Sequence, residues 1–255
     1  MSRQAVITLC IGELSYSSIT IPVIRDYSCK IGADFYSITQ SSVPQNKPHH
    51  PKLDKFQIHE FLDHYDRILF LDSDMVIHPH CPNLFELVDP DHLGVVCETS
   101  PYFNRDQVFQ EACQYYGIPY PGHANHWFNS GMMVISQAHR PLFAWPEKVT
   151  SFAARNLDGS LAPPRFRWWD MPLLNCERLR LNIEIQDLGY RYNYLQSLSG
   201  LDNKPFSPKN SFIFHGCGED KSMLYRMIET WYGRAFPDHA INTPKRLIAP
   251  CIQAF

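Results

Sequence analysis

Apolar residues alternate between two rhythms along this chain. Compact runs rich in branched side chains occupy residues 5–11, 67–71, 93–97, 131–135 and 211–214, each bounded by polar or turn residues. Short runs without polar interruption predict strands buried on both faces. Between them, residues 17–31, 52–64, 106–117 and 171–181 read as helices, the second with Leu53, Phe56, Ile58, Phe61 and Leu62 apolar. Met223, Leu224, Met227, Ile228 and Trp231 recur at helical spacing within residues 219–234 and predict a last helix packed on the core. Strand alternating with helix predicts an α/β domain with a mostly parallel central sheet and flanking helices. No internal repeat is visible, so residues 1–236 are expected to form one domain, followed by a tail at 237–255. Three stretches rich in Pro, Ser and Gly resist assignment, at 41–51, 156–167 and 197–210. Ordered loops of that length in a compact domain tend to be lids or substrate loops.

Charge narrows the function classes. The 255 residues hold 26 acidic and 23 basic side chains, a formal net charge of −3, with no basic stripe. Bulk electrostatics therefore give no support to a nucleic-acid partner. No apolar run approaches the ~18–20 residues of a membrane span. The opening MSRQAVITLCIGELSYSS is too short in its apolar part for a secretory signal and reads as a first buried strand. The cytoplasm is the expected compartment. Beyond Pro237 the tail carries only Lys245 and Arg246 as basic residues, so no stable membrane anchor is expected. The eight cysteines lack a CxxC pair and are expected as free thiols, most of them buried. His78, His80 and Cys81 are too crowded to complete a zinc tetrahedron and read as a surface turn.

The sharpest chemical feature is DRILFLDSDMVI, residues 66–77. A buried strand at 68–71 runs directly into Asp72, Ser73 and Asp74. Paired charges closing a buried strand repel each other and lose hydration unless something compensates. A divalent cation compensates with hard oxygen ligands, and the carboxyl end of a strand in an open α/β sheet is where such folds place their ligands. Two solvated turn carboxylates are the plainer alternative.

Six segments follow one another in order: Lys55 in KFQIHEFL, YDRILFLDSDMVI, FNSGMMVIS at 128–136, WWDMPLLN around Asp170, GYRYNYL, and HGCGEDK at 215–221. Together, from about residue 5 to 221, they resemble the nucleotide-sugar glycosyltransferases of GT-A fold. The closest likeness is to the retaining family 8 type that includes glycogenin and the bacterial lipopolysaccharide galactosyltransferases. The resemblance implies a GT-A-like domain that moves a hexose from a nucleotide-diphosphate sugar, UDP-Glc or UDP-Gal, to a glycan or other hydroxyl acceptor. It also implies retention of anomeric configuration and a Mn²⁺ or Mg²⁺ cofactor. Asp72 and Asp74 match the family's Asp-x-Asp motif, with Ser73 between them in the donor site and His215 as third metal ligand. His215, Gly218 and Lys221 keep the family's spacing. The residue types suit those roles. An imidazole beside two carboxylates fits a metal of borderline preference, a glycine lets backbone approach phosphate, and a lysine supplies charge to the leaving diphosphate. Taken alone, His215 is as readily a satisfied core histidine.

The remaining candidates follow from the same likeness. Lys55 lies 72 − 55 = 17 residues before Asp72, where the family has a basic residue near the donor, and Lys52 is its rival. Thr8, Ile11, Gly12 and Tyr16 lie on or after the first strand, where the family holds the nucleoside. Tyr16 is a candidate for stacking on the base, or for ordinary core packing. Asn129, Ser130 and Gly131 are expected in a turn just before a strand, against the transferring sugar. A side-chain amide both donates to and accepts from a hydroxyl, and glycine allows close approach. Asp170 stands where the family positions a carboxylate near the anomeric centre, which makes Asp170, Asn129 and Lys221 the catalytic candidates. The next position is often Gln in bacterial members and is Met171 here, which removes a polar group beside the reactive face. Glu98, after the strand at 93–97, is a further sugar-site candidate or an exposed turn carboxylate. Trp127, Trp168 and Trp169 flank the sugar motifs and offer indole faces to an acceptor, with core packing the alternative for at least one.

Two other classes compete. A sugar-1-phosphate nucleotidyltransferase is expected to carry a Gly-rich basic signature close after its first strand, where this chain reads IGELS with no basic residue before Arg25. A non-catalytic nucleotide-sugar-binding module would be a decayed transferase, and the intact Asp72, Asp74, His215 and Lys221 argue against decay.

Overall fold

The computed structural model describes residues 2–42, 51–99, 101–144, 170–200 and 207–233. The loop expected at 156–167, Trp168, Trp169 and the tail at 237–255 lie outside the described residues, as does most of the loop at 41–51. Along the chain run β1 (Gln4–Leu9), α1 (Ser17–Lys30), β2 (Asp34–Ile38), α2 (Ile58–Phe61), β3 (Arg67–Asp72), β4 (Met75–Ile77), α3 (Leu84–Leu87) and β5 (Leu93–Cys97). They are followed by α4 (Asp106–Tyr116), β6 (Phe128–Ser136), α5 (Asp170–Arg180), β7 (Ile185–Asp187), β8 (Tyr194–Leu195), β9 (Ile213–His215) and α6 (Ser222–Tyr232).

A six-stranded sheet in the order β2-β1-β3-β6-β5-β7 forms the centre. β1 runs parallel to β2 and β3, β5 runs parallel to β7, and β6 runs against both of its neighbours. The mostly parallel α/β architecture expected from the hydrophobic pattern is thus present. Strand β3 shows why its sequence has no polar face: Ile68 and Phe70 enter one core and Leu69 and Leu71 the other. The first core takes Phe109 and Ala112 from α4 and Leu173 and Leu174 from α5. The second takes Val23 and Ile24 from α1 and Leu224 and Ile228 from α6.

Several expectations need correction. The helix anticipated at 52–64 is a 3-10 helix, Pro51–Gln57, that runs into the single turn α2. Leu53, Asp54, Lys55 and Phe56 are all buried, so this segment is enclosed on every side rather than lying on the surface with one apolar stripe. Asp54 Oδ1 accepts from Ser42 N at 2.9 Å and Gln57 Nε2 at 3.0 Å, so one oxygen of the buried carboxylate is bonded locally. The strand expected at 131–135 begins at Phe128, so Asn129, Ser130 and Gly131 belong to β6 and not to a turn before it. Asn129 and Phe128 pair with Val96 and Cys97 of β5, and Asn175 on α5 brackets the start of the strand, accepting from Phe128 N at 2.9 Å and donating to Phe128 O at 3.0 Å. The seven described cysteines are free thiols. In the turn after β4, His80 N donates to His78 Nδ1 at 3.1 Å while Cys81 is buried. Among the described residues no helix is long and apolar enough to cross a membrane.

Two features of the sheet build one edge. Because β6 is antiparallel, its amino end lies beside the carboxyl ends of β3 and β5. Its register also breaks there: Gly94 pairs with Val134 but Val96 pairs with Asn129, so residues 130–133 bulge out of the β5 ladder. A second, three-stranded sheet, β4-β9-β8, abuts the same edge through the turn at Ser73 and Asp74.

Candidate active site

Asp72 closes β3 and Asp74 precedes β4. β4 pairs with β9 in the register Met75↔His215, which carries an imidazole from late in the chain to this turn. His215 Nε2 lies 3.2 Å from Asp74 Oδ1 and 3.7 Å from Asp72 Oδ2. One ligand atom from each of Asp72, Asp74 and His215 lies within 4.8 Å of the others. Two carboxylate oxygens and one imidazole nitrogen fit a divalent ion such as Mn²⁺, with further coordination positions left for substrate oxygens or water. Gly131 supports that fit from the opposite wall. A Cβ there would stand 2.5 Å from His215 Cε1 and 2.8 Å from Asp72 Oδ2, so any larger residue would displace two of the three groups. Side-chain exposure rises from 5% at His215 through 15% at Asp74 to 29% at Asp72, so the cluster opens on the Asp72 side.

Lys221 flanks the cluster, donating to Asp74 Oδ2 at 2.7 Å and to Gly216 O at 2.5 Å. Burial alone would push the Asp74 carboxyl up, but His215 and Lys221 outweigh it and hold that group well below the usual carboxylate range. Lys221 Nζ also sits 4.8 Å over the ring of Tyr16, which is half-buried at the start of α1. Burial, with Asp74 nearby, pushes the Tyr16 hydroxyl up and keeps it neutral. Ser73 is buried, and its carbonyl accepts from Thr20 Oγ1 at 2.6 Å, tying α1 to the aspartate turn. Gly218 has φ +103° with open space around it, a left-handed conformation that favours glycine between His215 and Lys221.

A second cluster meets the first at Asp72. Asp170 opens α5, and its Oδ2 accepts from Lys55 Nζ at 2.5 Å and Ser130 Oγ at 2.6 Å. Lys55 Nζ also donates to Ser130 O at 2.9 Å, a carbonyl within the β6 bulge, and stands 3.5 Å from Asp72 Oδ1. Lys55 is 1% exposed, so it is no surface lysine, whereas Lys52 is exposed. Burial pushes the Asp170 carboxyl up, but Lys55 outweighs it and holds the group at about 2. Burial likewise opposes the charge on Lys55, and Asp170 and Asp72 together raise it above the ordinary lysine range.

Between the clusters lies Asn129. Its Nδ2 donates to Glu98 Oε1 at 2.8 Å, and its Oδ1 accepts from Gly131 N at 2.9 Å and Asn193 Nδ2 at 3.0 Å. Glu98 is 3% exposed and held by Arg105 Nε at 2.6 Å, so it is not an exposed turn carboxylate. Asn193 and Arg105 escaped the sequence reading. Asn193 sits inside GYRYNYL with nothing in its spacing to single it out, and Arg105 precedes α4 as an ordinary surface-type charge. Met171 is buried, with Sδ 4.0 Å from Asn129 Nδ2. At the amino end, Thr8 is fully buried on β1 with Oγ1 unpartnered, Ile11 is half-buried and Gly12 is exposed beyond the strand. Trp127 is fully buried and meets the Phe109 ring edge-on at 5.2 Å, so it belongs to the core and presents no face to an acceptor.

Comparison with known proteins agrees with this geometry. The glycosyl transferase family 8 model matches residues 19–222. No curated protein matches the chain significantly in sequence. Among solved structures, a glycosyltransferase involved in the glycosylation of the major capsid of PBCV-1 superposes with a TM-score of 0.55 at 14% identity, covering 89% of this chain and 99% of its own. The galactosyltransferase LgtC, solved in complex with donor and acceptor sugar analogs, superposes with a TM-score of 0.51 at 12% identity, covering 92% and 98%. Such low identities carry the GT-A-like fold and nothing finer. The match of the family model over most of its length shows that the chain belongs to glycosyl transferase family 8 and is a glycosyltransferase.

Proposed function

We propose that this glycosyltransferase moves a hexose from a nucleotide-diphosphate sugar, UDP-Glc or UDP-Gal, to a hydroxyl of a glycan or other acceptor, with retention of anomeric configuration and with Mn²⁺ or Mg²⁺ held by Asp72, Asp74 and His215. The observation that carries the reading is the convergence of that triad with Lys221 on one side and the Lys55–Asp170 pair on the other. Glycosyl transfer passes through a transition state of oxocarbenium character, with positive charge growing on the sugar and negative charge on the leaving diphosphate. A divalent ion at the triad supplies a Lewis acid to that leaving group. Lys221 adds a second positive charge within hydrogen-bonding reach of Asp74, and the open space at Gly218 lets backbone N–H groups approach phosphate. On the sugar side, Asp170 stays ionised at neutral pH because Lys55 and Ser130 stabilise its charged form. An ionised carboxylate there accepts from sugar hydroxyls and offsets the developing positive centre.

Met171 bears on stereochemistry. The Met171 thioether is neither a nucleophile nor a base, and retention follows if the acceptor hydroxyl attacks from the face that the diphosphate leaves, with a phosphate oxygen taking its proton. Tyr16, Ile11, Gly12 and Thr8 are assigned to the nucleoside end. The reaction is assigned to the cytoplasm, as the free thiols at Cys81, Cys97, Cys113 and Cys176 suit a reducing compartment.

A donor screen tests the proposal: nucleotide diphosphate release is followed with and without Mn²⁺, and the fresh product is read by proton NMR. Metal-dependent release with the donor's anomeric configuration preserved is expected. Release of pyrophosphate from a nucleoside triphosphate, or an inverted product, refutes it.

A further inference from the structure

The polarity of the hydrogen bonds behind His215 carries information beyond its position. Gly131 N is a donor, so the Asn129 atom that it meets at 2.9 Å must be the amide oxygen. The far side of the same amide agrees, because Asn129 Nδ2 meets the acceptor Glu98 Oε1 at 2.8 Å, and Glu98 Oε2 is taken by Arg105 Nε. Asn129 Oδ1 is therefore an acceptor, and the Asn193 atom 3.0 Å away must be its nitrogen. That turns Asn193 Oδ1 toward His215 Nδ1, also at 3.0 Å. An amide oxygen only accepts, so Nδ1 has to carry a proton. Glu98, Asn129, Asn193 and His215 are each 7% exposed or less, so water does not compete for these bonds.

A competing arrangement exists. Asp74 Oδ1 lies 3.2 Å from His215 Nε2 and would draw the imidazole proton to that nitrogen, the one facing the carboxylates. A neutral imidazole with its proton on Nε2 has its lone pair on Nδ1, turned away from any cation at Asp72 and Asp74. The partner of the second ring nitrogen decides which arrangement holds.

We propose that Asn193 is the positioning residue of this site: with Glu98 and Asn129 it forms a one-way hydrogen-bond relay that fixes a proton on His215 Nδ1 and so makes Nε2 the nitrogen that ligates the cation. The proposal rests on the reading of Asp72, Asp74 and His215 as cation ligands, and it adds a residue that acts through its bonds to His215 and Asn129. It also joins the two halves of the site, since Asn129, the sugar-side amide, is the middle member of the relay.

The test uses the full chain, metal-free and ¹⁵N-histidine labelled, at alkaline pH. The expected NMR result is a protonated Nδ1 at His215 in the parent and an unprotonated Nδ1 in Asn193→Leu, which keeps the volume and removes the acceptor. Mn²⁺ affinity by titration calorimetry is expected to fall about 10–100-fold in Asn193→Leu. It should return to within a few-fold of the parent in Asn193→Asp, whose carboxylate again accepts the Nδ1 proton. An unprotonated Nδ1 in the parent overturns the proposal, as does a folded Asn193→Leu that binds Mn²⁺ as tightly as the parent. If Asn193→Leu does not fold, the parent spectrum and Asn193→Asp decide. A parent with a protonated Nδ1 that binds no Mn²⁺ refutes the metal reading and leaves the relay standing.

Discussion

Replacing Lys55 with Met isolates the electrostatic work of one buried pair. The substitution keeps an unbranched apolar stem beside Phe70, whose ring lies 4.7 Å from Lys55 Nζ, and removes only the ammonium. Asp170, 2% exposed, then keeps the Ser130 hydroxyl and loses its nearest positive charge. With its carboxyl held at about 2 against an ordinary 3.8, the present surroundings favour the charged form by roughly 2 kcal/mol. Breaking a buried pair by removing one member costs about 3–5 kcal/mol, because the partner is left charged and unhydrated. We therefore expect Lys55→Met to lose about 3–5 kcal/mol in urea unfolding at pH 7. The sign of the pH dependence is a second check. In the parent the depressed Asp170 contributes stability that is present above 3.8 and lost as pH falls through about 2. In the variant, burial without the counter-charge raises the same carboxyl, so its folded state takes up a proton more readily than the unfolded chain. Acidification from pH 7 toward about pH 4 should then narrow the gap between variant and parent. A cost below about 1 kcal/mol at pH 7, or a gap that does not change with pH, would refute this account of the pair.

Other substitutions probe the remaining walls. Asp74→Asn should abolish metal-dependent diphosphate release while the circular dichroism spectrum stays native, and chelation of the parent should reproduce that loss reversibly on adding Mn²⁺ back. Gly131→Ala places a Cβ 2.5 Å from His215 Cε1. It should destabilise by about 1–3 kcal/mol in chemical denaturation and weaken Mn²⁺ binding in calorimetry. Met171→Gln keeps the side-chain volume but buries an amide beside Asn129, so thermal unfolding should show a loss of about 1–3 kcal/mol while product NMR still reports retention.

The strands were legible because residues 67–72 and 93–97 are buried on both faces and so lack polar interruptions. The Asp-x-Asp turn was legible for the converse reason, as two charges interrupt that burial at one point. Lys55 was identified, but its surroundings were not: four consecutive buried residues in a 3-10 helix leave no helical stripe to read. The position of Asn129 and Gly131 within β6 was hidden because the pairing that places them there is with β5, where Asn129 lies opposite Val96, 129 − 96 = 33 residues away. Asn193 and Arg105 act through hydrogen bonds to side chains distant in the chain, Asn129 and His215 for the first and Glu98 for the second. Apolar periodicity carries no trace of such contacts.

The β4–β9 pairing has a consequence in time. Asp74 and Lys221 are 147 positions apart, and His215 is delivered only by a strand that pairs with β4 from late in the chain. At the ~5–20 residues per second of protein synthesis, about 7–30 s separate the emergence of Asp74 from that of Lys221. Throughout that interval the two aspartates exist without their imidazole or lysine. A nascent chain can therefore fold much of its central sheet while holding no complete cation site, and a fragment ending before β9 should be inert however well its sheet is formed.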